Sequence, residues 1–252
     1  GVGCCVGTGV GCRVGTGVGC RVGTGVGAGG TGAVGKALIR RLVALGAKPA
    51  IAVRKAWQVG PMRELLGGTD GLVAVVPPGD GEAAAGFLKG ARDSLGPIAA
   101  VLSAAGGFRM AEIGQDRTGD DTALFEANFV ATHTLVRAAI GGMRRAGSGV
   151  LAFVGADSVG TPIPGMGLYQ ASKAALHAYA EVLAAEGAPH GVAVAVVAPG
   201  VLDTDANRDA MPGADRSSWT PVDHVVDALI EAASGGVQPG ALTTVRVPAP
   251  VA

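Results

Sequence analysis

Three groups of residues in this sequence have the types and spacing to do chemistry. Tyr169 and Lys173 stand four apart in Tyr169-Gln170-Ala171-Ser172-Lys173. On a helix that spacing sets a phenol and an ammonium on one face, one turn apart. A cation beside a phenol favours the phenolate and brings a pKa that is ordinarily about 10 toward a useful range for proton transfer. The second group is the glycine turn Gly29-Gly30-Thr31-Gly32-Ala33-Val34-Gly35. Small residues let the backbone approach a pyrophosphate, and the helix that opens at Ala33 supplies free N–H groups and a favourable dipole. The third is Arg54, followed by Lys55, at the end of an expected strand. In a dinucleotide-binding fold this position faces the adenosine ribose, where a carboxylate would bond both free hydroxyls and an arginine would pair with a 2′-phosphate. Arg54 therefore favours NADP(H) over NAD(H), although an exposed Arg-Lys pair is also an ordinary solvated turn.

The elements that must hold these groups alternate along the chain. Helices are expected over Ala33–Leu45, Pro61–Leu66, Ala83–Leu95, Thr122–Arg145, Leu168–Glu186 and Pro221–Ala233. Strands are expected over Ala50–Val53, Leu72–Val76, Ile98–Ser103, Val150–Val154, Val192–Val197 and Leu242–Val247. Short apolar runs between helices are what a parallel sheet covered on both faces looks like. The order points to a single-domain doubly wound Rossmann fold with a mainly parallel sheet. The strand required before the glycine turn, about Arg21 to Gly27, alternates valine or threonine with glycine and is poor material for a central strand.

Composition limits the alternatives. The 252 residues carry 20 basic and 20 acidic side chains, and only 16% are charged, which argues against a nucleic-acid partner. No apolar run reaches the roughly 18 residues of a membrane span. Residues 1–26 are a near-perfect eight-residue repeat, GVGCCVGT, GVGCRVGT, GVGCRVGT, which contains all four cysteines, Cys4, Cys5, Cys12 and Cys20. This segment reads as a flexible glycine-rich leader, with residues 27–252 as the NAD(P)-binding domain. Its cysteines form no C-x-x-C pair, the histidines have no metal spacing, and no metal site is expected. Without a charged start or a leucine-rich stretch the segment is no secretory signal, so a cytoplasmic enzyme is the expectation. Asp157 beside Ser158 lacks the G-x-S-x-G context of a serine hydrolase.

In this order and spacing the three groups resemble the short-chain dehydrogenase/reductase family, over about Val26 to Val247. The resemblance implies cofactor contacts from Gly29, Gly30, Thr31, Gly32, Ala33, Val34 and Gly35, from Arg54, and from Ala104, Ala105 and Gly106, which stand where the family has N-N-A-G. It also implies that Pro199, Gly200 and Thr204 flank the nicotinamide carboxamide, and that Lys173 holds the nicotinamide ribose and tunes Tyr169. Asn128 falls where the family has a catalytic asparagine that anchors a proton-relay water. One member of the pattern is absent: Ala156 occupies the place of the family's serine, thirteen residues before the tyrosine, with Ser158 the nearest hydroxyl.

Lack of that serine, the stretch Ala105-Gly106-Gly107-Phe108, Pro162-Ile163-Pro164-Gly165-Met166 and a C-terminal string from Leu202 to Pro221 are similar to the dihydropteridine reductase branch of the family. This implies reduction of a quinonoid dihydropterin by NADPH, with Phe108 and Ala156 beside the substrate and Tyr169 as proton donor. Such a ring is already electron-poor and needs less polarisation than a ketone, which the missing hydroxyl would otherwise provide. Phe108 could equally pack on the sheet edge, and Trp219 could be lid or core. A general NADP-dependent carbonyl or alcohol oxidoreductase, favoured by Asn128, and a non-catalytic dinucleotide-binding protein remain as alternatives. The two long alanine-rich helices suit a homodimer, the pairing that the resemblance implies.

Overall fold

In the computed structural model residues 24–247 are described, apart from positions 116 and 118. Strand and helix alternate from the start: β1 Thr24–Ala28, α1 Ala33–Ala44, β2 Pro49–Val53, a 3-10 turn Ala56–Gln58, α2 Val59–Leu66, β3 Leu72–Val75, α3 Gly81–Leu95 and β4 Ile98–Ser103. Then come α4 Asp120–Phe125, a π turn Glu126–Val130, α5 Ala131–Ala146, β5 Gly149–Val154, α6 Gly167–Gly187 and β6 Val192–Pro199. The C-terminal part adds β7 Leu202–Asp203, α7 Asp205–Ala210, β8 Thr220–Pro221, α8 Val222–Glu231 and β9 Thr243–Val247. Seven strands form one sheet in the order β3-β2-β1-β4-β5-β6-β9, each neighbouring pair parallel. β7 and β8 pair separately.

The period of two along each strand divides the core between the two faces of the sheet. Leu151 and Phe153 of β5, with Val192, Val194 and Val196 of β6, meet α3, α5 and α6. Ala152 and Val154, with Ala193, Ala195 and Val197, meet α1 and α8 on the other face. A smaller cluster of Ile39, Ile51, Met62 and Leu66 ties α2 to the β2 side. This is the doubly wound arrangement that the sequence pattern implies. No described helix is long and apolar enough to cross a membrane.

β1 corrects the expectation drawn from its glycines. Thr24–Ala28 is a central strand, laddered to β2 on one edge and β4 on the other. Val26 and Ala28 enter the core beside α3 and α5. Gly25 and Gly27 border a cavity of about 20 Å³, together with Leu38 and Leu42 of α1. The strand is therefore fixed by backbone hydrogen bonds on two edges and by side chains on one face. It takes in Thr24, Gly25 and Val26, which the repeat pattern counts with the leader. The remainder of that leader, with its cysteines, lies outside the described residues.

The helix expected over Thr122–Arg145 is also not uniform. A π turn at Glu126–Val130 separates α4 from α5 and carries Asn128. Single π turns of this kind frequently accompany functional sites, because the extra residue rotates one side chain off the regular helix face.

Candidate active site

The strand order reverses between β1 and β4, and ligands of open α/β sheets bind beyond the carboxyl ends of the strands at such a point. The Ala104 N–H there donates to the Ala28 carbonyl at 3.0 Å, which draws the two strand ends together. Gly29 turns with φ +78°, and a methyl group on it would overlap the Ala104–Ala105 peptide. A methyl on Gly35 would overlap the Gly29 carbonyl, and one on Gly30 would lie 2.9 Å from Ile51 Cγ2. Gly29 and Gly35 demand glycine, whereas at Gly30 the Ile51 side chain would have to give way. Gly32 caps α1 without any side-chain hydrogen bond, so the opening N–H groups of the helix stay available to an anion. A cavity of about 50 Å³ joins Gly29, Gly30 and Thr31 to Arg54, Ala105 and Gly106. The glycine turn and the open start of α1 fit the phosphates of a nicotinamide dinucleotide.

Arg54 and Lys55 are exposed, and neither has an ion-pair partner among the described residues. Gln58 lies beneath them, 5% exposed. Its side-chain oxygen accepts from the Arg54 N–H and the Lys55 N–H, each at 3.0 Å. Its amide nitrogen reaches Thr31 Oγ1 at 3.4 Å. Nothing in the sequence singles out Gln58, because its partners are mainly backbone groups.

At the other end of the groove the site consists of buried side chains. Asn128 is fully buried: its Nδ2 donates to Ser172 Oγ at 2.8 Å and to the Gly107 carbonyl at 3.1 Å, and its Oδ1 accepts from the Gly107 N–H at 2.8 Å. Ser172 in turn donates to the Tyr169 carbonyl at 2.7 Å. The π turn, the loop after β4 and the first turns of α6 are thus one hydrogen-bonded unit. With both Asn128 donors taken, its side chain works as a clamp between Gly107 and Ser172. Ser172 was legible only as a neighbour of Lys173.

Lys173 is buried, and Nζ donates to the Val154 carbonyl at 2.8 Å. Burial lowers its pKa from 10.5 to about 8. Burial also raises Tyr169 above 10. Burial of the phenol thus opposes the lowering expected from an adjacent ammonium, and Lys173 is engaged with a backbone carbonyl. Phe108 lies edge-on to Tyr169, ring centroids 5.0 Å apart, and is 58% exposed. It belongs to the mouth of the site, not to the sheet edge. Trp219 is buried and belongs to the core, with Arg216 5.7 Å from the ring centroid.

Ala156 is buried, and its N–H donates to His177 Nε2 at 3.3 Å. A neutral ring accepts this bond. Burial and the nearby Lys173 both push the His177 pKa down, while Glu181 opposes them. Gln170 holds the following loop through the Ser158 and Thr161 carbonyls at 2.8 and 2.6 Å. Pro199 ends β6, and its carbonyl accepts from the Asp157 N–H at 3.0 Å. Gly200 is exposed in the turn that follows. Thr204 is the N-cap of α7, accepting from the Asn207 N–H at 3.2 Å.

Comparison with known proteins agrees with this geometry. Residues 26–214 match the family described as short chain dehydrogenase. The Escherichia coli 2,3-dihydro-2,3-dihydroxybenzoate dehydrogenase is 37% identical over 109 residues, 43% of this chain and 44% of that enzyme. The dihydropteridine reductase of Dictyostelium discoideum is 36% identical over 85 residues, 33% of this chain and 37% of that enzyme. The chain thus spans less than half the length of these two curated relatives. A gluconate 5-dehydrogenase from Burkholderia cenocepacia, solved in complex with NADP and tartrate, shares the fold with a TM-score of 0.75 at 21% identity, covering 89% of this chain and 93% of that one. The glycine cradle at the switch point, the Tyr169/Lys173 pair on α6 and the family match over most of the chain agree: the protein belongs to the short-chain dehydrogenase family.

Proposed function

We propose that this protein is an NAD(P)H-dependent oxidoreductase that reduces a quinonoid dihydropterin or a similarly electron-poor planar ring, with NADPH favoured over NADH. One observation carries the substrate class: an exposed Phe108 stands 5.0 Å from Tyr169, while the buried methyl of Ala156 replaces a carbonyl-polarising hydroxyl. An aromatic edge beside the proton donor suits a flat bicyclic ring. The likeness to the Dictyostelium dihydropteridine reductase supports the same class.

Bound nicotinamide supplies the hydride. The chain's own residues hold the reactants and manage one proton. Gly29, Gly30, Gly35 and the start of α1 would hold the pyrophosphate, and Arg54 would meet the ribose phosphate. Tyr169, kept protonated by burial, donates its phenolic proton to the reduced ring. Lys173, mostly charged at pH 7 with a pKa of about 8, is the cation against which the phenolate forms. Exchanging the Val154 carbonyl for the nicotinamide ribose hydroxyls would bring it into that role. Asn128 and Ser172 fix the start of α6 so that Tyr169 keeps its place.

A carbonyl or alcohol oxidoreductase is the second reading, favoured by the buried Asn128 clamp, which suits the family's general chemistry. Turnover of quinonoid dihydropterin generated in situ, measured beside a ketone panel with NADPH and NADH, separates the two. Reduction of the ketones but not the pterin overturns the first reading. Nucleotide binding without turnover, unchanged in Tyr169→Phe, would instead favour a non-catalytic protein. A homodimer through α5 and α6 accompanies the proposal, supported by the half-buried Phe129, His133 and Tyr179 cluster that spans the two helices.

A further inference from the structure

The adenosine end of the cavity holds two cations whose charge no described acidic residue neutralises, and one neutral side chain that organises them. Arg54 and Lys55 share the turn after β2, and both of their backbone N–H groups are already taken by Gln58 Oε1 at 3.0 Å. A ligand phosphate cannot use those amides and must be met by side chains. The Gln58 Nε2 contact to Thr31 leaves the Thr31 hydroxyl as acceptor toward Gln58, with its own proton free to donate elsewhere. Gln58 is nearly buried and links two separate pieces of the cradle, the glycine turn and the turn after β2. It does so without charge. A carboxylate of the same shape would keep both amide bonds, lose the donor to Thr31 and set a negative charge next to the phosphate site.

We infer that Gln58 is the positioning residue that sets this protein's preference between a phosphorylated and an unphosphorylated adenosine ribose. It holds Thr31, Arg54 and Lys55 as a three-sided receptor for a phosphomonoester dianion. The inference rests on the NADPH reading above and names how that preference is built. Arg54 supplies a fixed fork of donors and Lys55 a point charge, which together match a phosphate better than either alone. The bridge to Thr31 sets the spacing of the third donor.

The test uses fragments that differ only in the phosphate: adenosine 2′,5′-bisphosphate against adenosine 5′-monophosphate, with NADP and NAD as the full ligands, by calorimetry on the intact chain. The readout is the ratio of dissociation constants, which a general loosening of the fold would leave unchanged. In Gln58→Glu the ratio favouring the 2′-phosphate falls at least tenfold, and raising the salt concentration narrows the gap between variant and wild type. In Gln58→Met, which removes both links without adding charge, the ratio falls about threefold and its gap to wild type does not respond to salt. A wild-type preference that survives unchanged in a folded Gln58→Glu or Gln58→Met protein overturns the role of Gln58 alone. A wild-type protein that binds both fragments equally overturns the NADPH reading and this inference with it.

Discussion

The two ends of the groove compare as an emptied space and a filled one. Around β1 the site is made by leaving side chains out: Gly29 and Gly35 each lie where a methyl group would overlap backbone, and Gly30 rests on Ile51. Around α6 it is made by burying polar side chains and satisfying them, with Asn128, Ser172 and Lys173 almost fully removed from solvent. Gly29 and Gly35 admit no added methyl, and Asn128 and Ser172 are tied into a network that truncation would open. Recognition of the cofactor therefore depends on backbone shape, and the chemistry depends on a hydrogen-bond network, so each should fail in its own way.

The largest expected effect is at the filled end. Tyr169→Phe removes the proton donor and leaves the packing, so turnover should drop about 1,000-fold while nucleotide binding by titration is retained. Loss of binding to the same extent would show that the two ends are not separable. At the emptied end Gly35→Ala should cost about 3 kcal/mol of stability, read from denaturant unfolding, because rigid backbone has to move. Asn128→Ala tests removal instead of addition. It leaves the buried Ser172 hydroxyl without the Asn128 donor and opens a cavity, which should cost about 2 kcal/mol.

Lys173 gives the comparison a pH dependence. Its pKa falls from 10.5 unfolded to about 8 folded, so between those values the unfolded chain holds a proton that the folded chain has released. Stability from this group therefore rises with pH across that window, and at pH 7 the buried charge costs about 3 kcal/mol. Lys173→Met should be more stable than the parent at pH 7 by up to that amount, and the gap should close by about pH 11. Equal stability at every pH would mean that the Val154 bond offsets the whole desolvation cost. Tyr169 works in the opposite direction: its raised pKa lowers stability only above pH 10.

Smallest of all should be an addition where space exists. Gly25 has ordinary backbone angles, and a methyl on it would sit 4.0 Å from Leu42 Cδ1. Gly25→Ala should stabilise β1 by about 0.5–1 kcal/mol, visible as a raised Tm. This contrast between Gly25 and Gly35 sharpens the comparison, because it separates glycine required by shape from glycine that is merely present.

What the sequence made legible follows the same division. The glycine turn, Arg54 and the Tyr169/Lys173 pair are local patterns, so their elements and order could be read directly. β1 misled because its stability resides in two edge ladders, and hydrogen bonds between strands leave no trace in side-chain composition. Gln58 and His177 were missed as site residues for a related reason: they bond backbone N–H groups of Arg54, Lys55 and Ala156, which every residue type carries. The π turn escaped because one extra residue within a helical pattern shifts the apolar period too little to notice over five residues. The separate Phe108 and Trp219 questions were decided by exposure, which a loop sequence does not encode.

That π turn has a consequence for how the fold can change. It works as a vernier between α4 and α5, advancing one helix relative to the other by a single residue. Arg109 pairs with Asp120 at 2.8 Å at the α4 end, while Leu135, Val136 and Met143 lock α5 to the sheet. Deleting one residue from 126–130 would restore an unbroken helix, but it would rotate Asn128 by about 100° away from Gly107 and Ser172. The active site thus depends on the chain's length within a helix as much as on which residues it contains, and a one-residue deletion there would misplace Asn128 while keeping it.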